Sequence, residues 1–459
     1  MSWDWAEFEI RFKLMMRDYQ LTAIESWVEA GRKSIFAMAT GTGKTITAIA
    51  AIFQLAWENR EVRRSTLAVV VCPYVNLVEQ WESEFRRFGK VALPAYRGER
   101  YWKKKMSAVM RSLSLFPGRF EVVLVTQATF ITDSFQQSLS ESNAELVLVG
   151  DEVHNFGARG TLSRLPAKAS ARLGISATPE RWLDEEGTKA IHAYFGNTSF
   201  ELGIKEAISK GILCEYRYVP VICSLDTLET EEYGALTKRL IALLRGREFQ
   251  DLVGEEAEKA RMILRARSSI TGNAASKLPE LIRQMSVWGI TSNFLVYCAE
   301  GLSKNYVQGR QTDAVVDALS EVGLSSRKYD SETELAPRKK ILKDFGRKKL
   351  DGIVSMRCLD EGVDVPNATS AIFMASSNNP RQFVQRRGRV LRKSPGKSEA
   401  LLIDLFVVPA FSAQSDWADF EKKIVEREIR RADEFADSAL NAASATILLN
   451  EVRGKYGLR

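Results

Sequence analysis

"SIFAMATGTGKTITAIAAI", residues 34–52, runs from a short apolar stretch through a Gly-rich turn into an Ala- and Ile-rich helical pattern. Strand, glycine turn and helix in that order form the setting a phosphate loop requires. Gly41 and Gly43 permit the tight turn and leave backbone N–H groups pointing inward at oxygens beside a helix N-terminus. Thr40 and Thr42 complete the loop. Lys44 can then reach the β and γ phosphates of a nucleoside triphosphate, and Thr45 offers a hydroxyl to Mg²⁺. The strict spacing GxxxxGK[ST] asks for Gly where Met38 stands. Taken alone, the stretch also fits a glycine turn with a solvated lysine.

Working outward, apolar runs rich in Val, Ile and Leu recur as "TLAVVVCP" (66–73), "FEVVLVTQ" (120–127), "AELVLVGDE" (144–152) and "ARLGISAT" (171–178), with helical patterns between them. Continuous runs of this kind predict parallel strands covered on both faces by helices. The rhythm returns between 290 and 406 in "TSNFLVYCAE", "ATSAIFMASS" and "EALLIDLF". A second α/β domain is expected. Residues 228–270 differ, with Leu and Ile at helical spacing, dense charge and two helices broken near 245–254, where Gly246 and Gly254 sit. Lys238, Arg239, Arg245, Arg261, Arg265 and Arg267 suit a duplex-gripping element. Glu229, Glu231, Glu232, Glu255, Glu256 and Glu258 offset them, as in a purely structural helical hairpin. From Trp417 to Leu440 the tail reads as one long amphipathic helix, with Trp417, Phe420 and Ile424 on one face, packing back on the second domain. The expected order is an ATP-binding domain over 1–215, a linker and helical insert over 216–275, a second domain over 276–409 and a helical tail over 410–459.

Composition agrees. At 459 residues the chain exceeds the ~250–300 at which one core stops growing. Its 65 basic against 58 acidic residues leave a formal charge of +7, compatible with a polyanionic partner without requiring one. Cysteines at 72, 214, 223, 298 and 358 lack CxxC spacing, so neither a zinc cluster nor a disulfide framework is expected and a reduced, cytoplasmic setting follows. The start carries acids where a secretory signal carries basic residues, and no stretch approaches the ~18 apolar residues of a membrane span.

"ELVLVGDEVH" (145–154) supplies the chemistry that a phosphate loop lacks. A carboxylate at a strand end can hold the Mg²⁺ of a bound nucleotide, and its neighbour can polarise the attacking water. Asp151 is the metal-side candidate and Glu152 the base. Alone, such a pair also fits a helix N-cap.

"ATGTGKT", "DEVH", "SATP" (176–179) and "QRRGRVLR" (385–392) stand in the order and spacing of superfamily 2 helicases and translocases, which this chain resembles over nearly its whole length. The loop form without the first Gly is usual there. The resemblance implies two tandem RecA-like domains, use of ATP and Mg²⁺, and a nucleic-acid partner. It assigns adenine reading to Arg17 and Gln20 in "MMRDYQLTAI". It assigns coupling of hydrolysis to domain movement to His154, Ser176 and Thr178. "VVVCPYVNLVEQW" (69–81) and "VTQATF" (125–130) resemble segments that meet the backbone of one nucleic-acid strand. In "MRCLDEGVDVP" (356–366), Gly362 and Asp364 match positions near the ribose. Arg389 and Arg392 match the family's arginine fingers, with Gln385 and Arg386 beside them; the other reading of this run is a solvated basic helix. With Lys44 and Asp151 on one domain and the arginines on the other, the resemblance implies a site completed when the domains close on ATP.

"DEVH" with His154, and "SATPERWLDEEG", depart from the RNA DEAD-box pattern and look closer to the DExH branch that holds restriction translocase subunits and DNA repair helicases. DNA is favoured over RNA, with a nuclease or other defence or repair subunit as possible partner. The alternative is an ATP-gated sensor or clamp that recruits an effector without unwinding.

Overall fold

The computed structural model describes residues 16–181, 184–247, 249–307, 309–330, 333, 335–356, 365, 367–375, 380–408 and 418–458. It divides into two compact units, Met1–Ala207 and Ile208–Arg459.

The apolar runs of the first unit become β1 (Lys33–Met38), β2 (Thr66–Cys72), β3 (Leu93–Ala95), β4 (Phe120–Thr126), β5 (Glu145–Asp151), β6 (Ala171–Ser176) and β7 (Thr198–Leu202). They lie in the order β3-β4-β2-β5-β6-β1-β7, and every pairing is parallel. All seven positions of β2 are buried, since helices cover both faces and leave no polar side to alternate with. Val69, Val71, Val123, Val125 and Leu148 pack with Trp102, Met106 and Phe135 in the core. What matters for the site is the run β5-β6-β1. Its register pairs Asp151 with Ile175, and Ser176 with Ala37. Three adjacent strands therefore deliver "DEVH", "SATP" and the glycine loop to one edge of the sheet. Carboxyl ends of parallel strands are where α/β sheets bind ligands.

Helices α1 (Asp18–Glu29), α2 (Lys44–Glu61) and α3 (Val75–Arg87) flank these strands. Phe53 of α2 lies 6.2 Å from Phe85 of α3, and Phe85 lies 5.9 Å from Trp81 (ring centroids), so an aromatic row locks α3 to the helix that leaves the phosphate loop.

The second unit holds β8 (Glu215–Cys223), β9 (Phe294–Tyr297), β10 (Ser326–Tyr329), β11 (Gly352–Ser355), β12 (Ser370–Phe373) and β13 (Glu399–Val407), again all parallel, in the order β10-β11-β9-β12-β13-β8. Strand β8 falls where the sequence suggested a linker. It is an edge strand, which is why it tolerates Pro220. Helices α4 (Thr227–Leu244) and α5 (Gly254–Gly272) form a hairpin with its own small core of Leu240, Leu244, Leu252, Ala257 and Ala260. Asp226 and Glu229 close a capping box at its start.

Within the span expected to be one helix to Leu440 the structure has one, α7 (Ala418–Ala436), which ends before Leu440; a second, α8 (Ala442–Tyr456), follows, and α6 (Pro380–Val390) precedes β13. The break at 437–441 has a purpose at the sheet edge. Asn441 accepts from Tyr218 N–H (2.9 Å) and donates to Tyr218 C=O (2.8 Å), while Leu440 N–H donates to Tyr216 C=O (2.8 Å). The tail thus satisfies edge groups that would otherwise invite another strand. Among the described residues no helix is long and apolar enough to cross a membrane.

Candidate active site

The glycine loop is built as the sequence requires. Gly41 and Gly43 hold φ of 90° and 87°, a region that disfavours side chains, and α2 starts immediately at Lys44. Thr42 closes the turn on Ala39 C=O with both its N–H (3.3 Å) and its hydroxyl (2.7 Å). Lys44 Nζ folds back to donate to Met38 C=O at 3.0 Å. Thr40 is buried and Thr45 partly so.

From α1, Tyr19 OH donates to Thr42 C=O at 2.6 Å. Gln20, 4% exposed, donates from Nε2 to Thr47 Oγ1 (3.1 Å) and Gly43 C=O (3.5 Å), and its Oε1 accepts from Arg17 N–H (3.0 Å). Both ends of the Gln20 amide are thus engaged, with the loop and with the start of its own helix. The Arg17 side chain is exposed.

Asp151 is 4% exposed at the end of β5. Its Oδ1 accepts from Glu152 N–H (2.9 Å) and its Oδ2 from the indole N–H of Trp81 (2.8 Å). Burial, and then the negative charge of Glu152, push its carboxyl up to about 7, although Trp81, Lys44 and the Glu152 N–H pull the other way. A carboxyl displaced this far in a strand-end cluster marks a place suited to a positive charge. Glu152 sits at φ 47°, ψ 58°, left-handed backbone that costs a non-glycine residue about 1–2 kcal/mol and swings its side chain back along the strand ends.

There Ser176 acts as a hub. Its Oγ donates to Glu152 Oε2 (3.3 Å), accepts from Thr178 N–H (3.1 Å), and lies 3.1 Å from His154 Nδ1. With the hydroxyl proton directed at Glu152, His154 is the donor in that contact, which places a proton on Nδ1. His154 is fully buried. "DEVH" and "SATP" are therefore one hydrogen-bonded cluster beside the phosphate loop.

Two residues absent from the sequence reading belong here. Trp81 is described above. Arg181 donates to His154 C=O through Nη1 (2.5 Å) and to Asp184 through Nε (2.6 Å). It passes through space that glycines leave open: a Cβ on Gly157 would stand 2.3 Å from its Cδ, and one on Gly187 2.7 Å from its Nε. In the sequence Gly157 and Gly187 stand on either side of β6, and nothing there marks them as neighbours of Arg181.

In the second unit the arginine run is buried, which argues against a solvated basic helix. Gln385, Arg386, Arg387 and Arg389 are 2%, 3%, 6% and 4% exposed. Two of them are internal struts. Arg386 lies 4.9 Å from the Tyr297 ring and donates to Met356 C=O (3.0 Å); Arg387 lies 4.4 Å from the Phe435 ring and donates to Glu434 C=O (2.9 Å). Buried Lys397 fixes the exit of α6 by donating to Val390, Ala368 and Arg392 carbonyls. Arg392, partly exposed, is further held by a backbone bridge to Leu213. Gly362 and Asp364 lie outside the described residues, as does Trp417.

Two parallel-sheet units, the first carrying a phosphate loop with an Asp-Glu-Val-His strand end, define a superfamily 2 helicase of the DExH type, and the chain belongs to that class. Residues 13–181 match the family model described as "Type III restriction enzyme, res subunit", and residues 295–394 that of "Helicase conserved C-terminal domain". Among relatives, the DNA 3'-5' translocase XPB2 of Sulfurisphaera tokodaii is 26% identical over 414 residues, covering 86% of this chain and 82% of that protein. The fold is that of the ATP-dependent Type ISP restriction-modification enzyme LlaBIII bound to DNA (TM-score 0.58, 16% identity, 92% of this chain and 30% of that one). It is also that of the Pyrococcus furiosus Hef helicase domain (TM-score 0.52, 17% identity, 87% and 97%).

Proposed function

We propose that this protein is an ATP-dependent DNA helicase or translocase that couples hydrolysis to movement on DNA. The observation that carries this reading is the alignment of β5, β6 and β1, which brings Asp151, Glu152, His154, Ser176 and the 39–45 loop to one sheet edge. Lys44 releases Met38 C=O and turns its ammonium to the β and γ phosphates of ATP. Thr45 and Asp151 would hold Mg²⁺, which would supply positive charge to neutralise the phosphates. Glu152 polarises the attacking water, and Ser176, bonded to its carboxylate, passes its state to His154 and Thr178. Gln20 reads adenine by exchanging one of its present amide partners, with Arg17 beside it. In the second unit Arg389 and Arg392 are the proposed sources of guanidinium charge for phosphoryl transfer, with the neutral amide of Gln385 beside them in sequence.

DNA as the track rests on the relatives, whose descriptions name DNA translocation and restriction-modification rather than clamping. A restriction, phage-defence or DNA repair setting fits them, with a nuclease or other subunit as partner. The buried free cysteines 72, 214, 223 and 298 suit a reducing cytoplasm. ATP turnover measured with duplex DNA, single-stranded DNA, RNA and no nucleic acid tests the reading. DNA is expected to stimulate turnover at least ~10-fold, and stimulation by RNA alone would overturn the choice of track.

A further inference from the structure

Asp151 is oriented by a residue from another element. Trp81, two turns into α3, is fully buried, and its indole N–H takes Asp151 Oδ2 at 2.8 Å while the Glu152 N–H takes Oδ1 at 2.9 Å. The strand end itself provides the second bond; the first depends on where α3 sits. Helix α3 is in turn fixed to α2 through Trp81, Phe85 and Phe53. Its N-terminus follows Pro73 and Tyr74, and Tyr74 is exposed. Buried indole N–H groups seek a polar partner, and a carboxylate partner makes a charge-assisted bond about twice as strong as a neutral one. With Oδ2 tethered to the indole, rotation of the carboxyl about its Cβ–Cγ bond is stopped and its remaining lone pairs are aimed.

We propose that Trp81 is a positioning residue that presents Asp151 to the nucleotide-bound cation and ties that carboxylate to the position of α3. This rests on Asp151 being the metal-side carboxylate, so the experiment separates the two ideas. Equilibrium binding of a fluorescent ADP analogue is measured in EDTA and across a Mg²⁺ titration for wild type, Trp81→Phe, Phe85→Leu and Asp151→Asn. Asp151→Asn is expected to lose the Mg²⁺ enhancement of binding; if it keeps the enhancement, the metal assignment itself fails. Trp81→Phe keeps a ring against Phe85 and loses the N–H together with three buried ring atoms, the packing part of which Phe85→Leu controls for. It is expected to bind the analogue normally in EDTA while its Mg²⁺ half-point rises about 10-fold, the loss of roughly 1.4 kcal/mol of carboxylate orientation. Phe85→Leu disturbs the same packing without touching the bond, and its half-point is expected to stay at the wild-type value. An unchanged half-point in Trp81→Phe, or an equal rise in Phe85→Leu, overturns the proposal.

Discussion

Gly43→Ala tests whether the glycine loop is held in its binding shape from outside as well as by its own turn. Residue 43 has φ +87°, and a Cβ there would stand 2.8 Å from Gln20 Nε2. Left-handed backbone costs an alanine about 1–2 kcal/mol. Gln20 is buried, so its amide must also leave Thr47 Oγ1 (3.1 Å) and Gly43 C=O (3.5 Å), adding about 1 kcal/mol. The sum is about 2–3 kcal/mol from the first unit. Gly31 provides the control: its φ is +66° and nothing lies within 4 Å of its Cβ, so Gly31→Ala bears only the backbone term, about 1–2 kcal/mol. Denaturant unfolding gives the stabilities, and titration with a fluorescent ADP analogue gives nucleotide affinity. Gly43→Ala is expected to be the less stable by about 1 kcal/mol and to lose at least ~10-fold in affinity, because both the turn and its Gln20 support are displaced. Gly31→Ala is expected to bind as wild type does. Wild-type affinity in Gly43→Ala, or an equal loss in Gly31→Ala, would refute the reasoning.

Other consequences are as concrete. Lys44→Ala is expected to abolish ATP hydrolysis, whereas Arg389→Ala does so with nucleotide affinity less affected; steady-state turnover and analogue binding, measured together, check the split. Arg181→Ala removes two side-chain bonds and leaves a void beside Gly157 and Gly187. A loss of about 1–2 kcal/mol from the first unit is expected, with a lower kcat through release of His154, and wild-type kcat in the variant would contradict that role. Lys277 is buried, with its ammonium donating to Met374 C=O, and burial pulls it down to about 8. Its folded value lies below the unfolded one near ~10.4, so the unfolded chain binds more protons between those limits and wild-type stability rises with pH there. Lys277→Met lacks that rise. Urea denaturation at pH 7 and pH 10.5 is expected to show wild type gaining on the variant by up to about 3 kcal/mol; a gap that does not move, or moves the other way, would contradict it.

Much of this architecture was legible because local pattern and global fold agree. The apolar runs of β1, β2, β5 and β6 are long enough to be buried strands by themselves, and "TGTGKT" and "DEVH" fall where those strands end. Strand β8 was not legible: "EYRYVPVIC" alternates charged and apolar residues and contains a proline, and only the Asn441 bonds and the neighbouring β13 make it an edge strand. The break in the tail has the same cause, since nothing near residue 437 in the sequence announces a sheet edge more than 200 residues upstream. The Arg386 and Arg387 struts needed the rings of Tyr297 and Phe435 to be known as neighbours, so a run of arginines could be read only as solvent-facing or catalytic. Trp81 was hidden for a similar reason. Its bond to Asp151 spans 70 positions and depends on helix-on-sheet packing that periodicity does not resolve.

The central claim is that ATP hydrolysis at the Lys44–Asp151 site moves this protein along DNA. Displacement of a third strand from a DNA triplex, followed in time with ATP, tests it without requiring unwinding. Wild type is expected to release the strand only when ATP is hydrolysed and duplex lies on the approach side, and Lys44→Ala to release none. DNA-stimulated hydrolysis by wild type with no strand release from either side would contradict the claim and leave an ATP-gated clamp in its place.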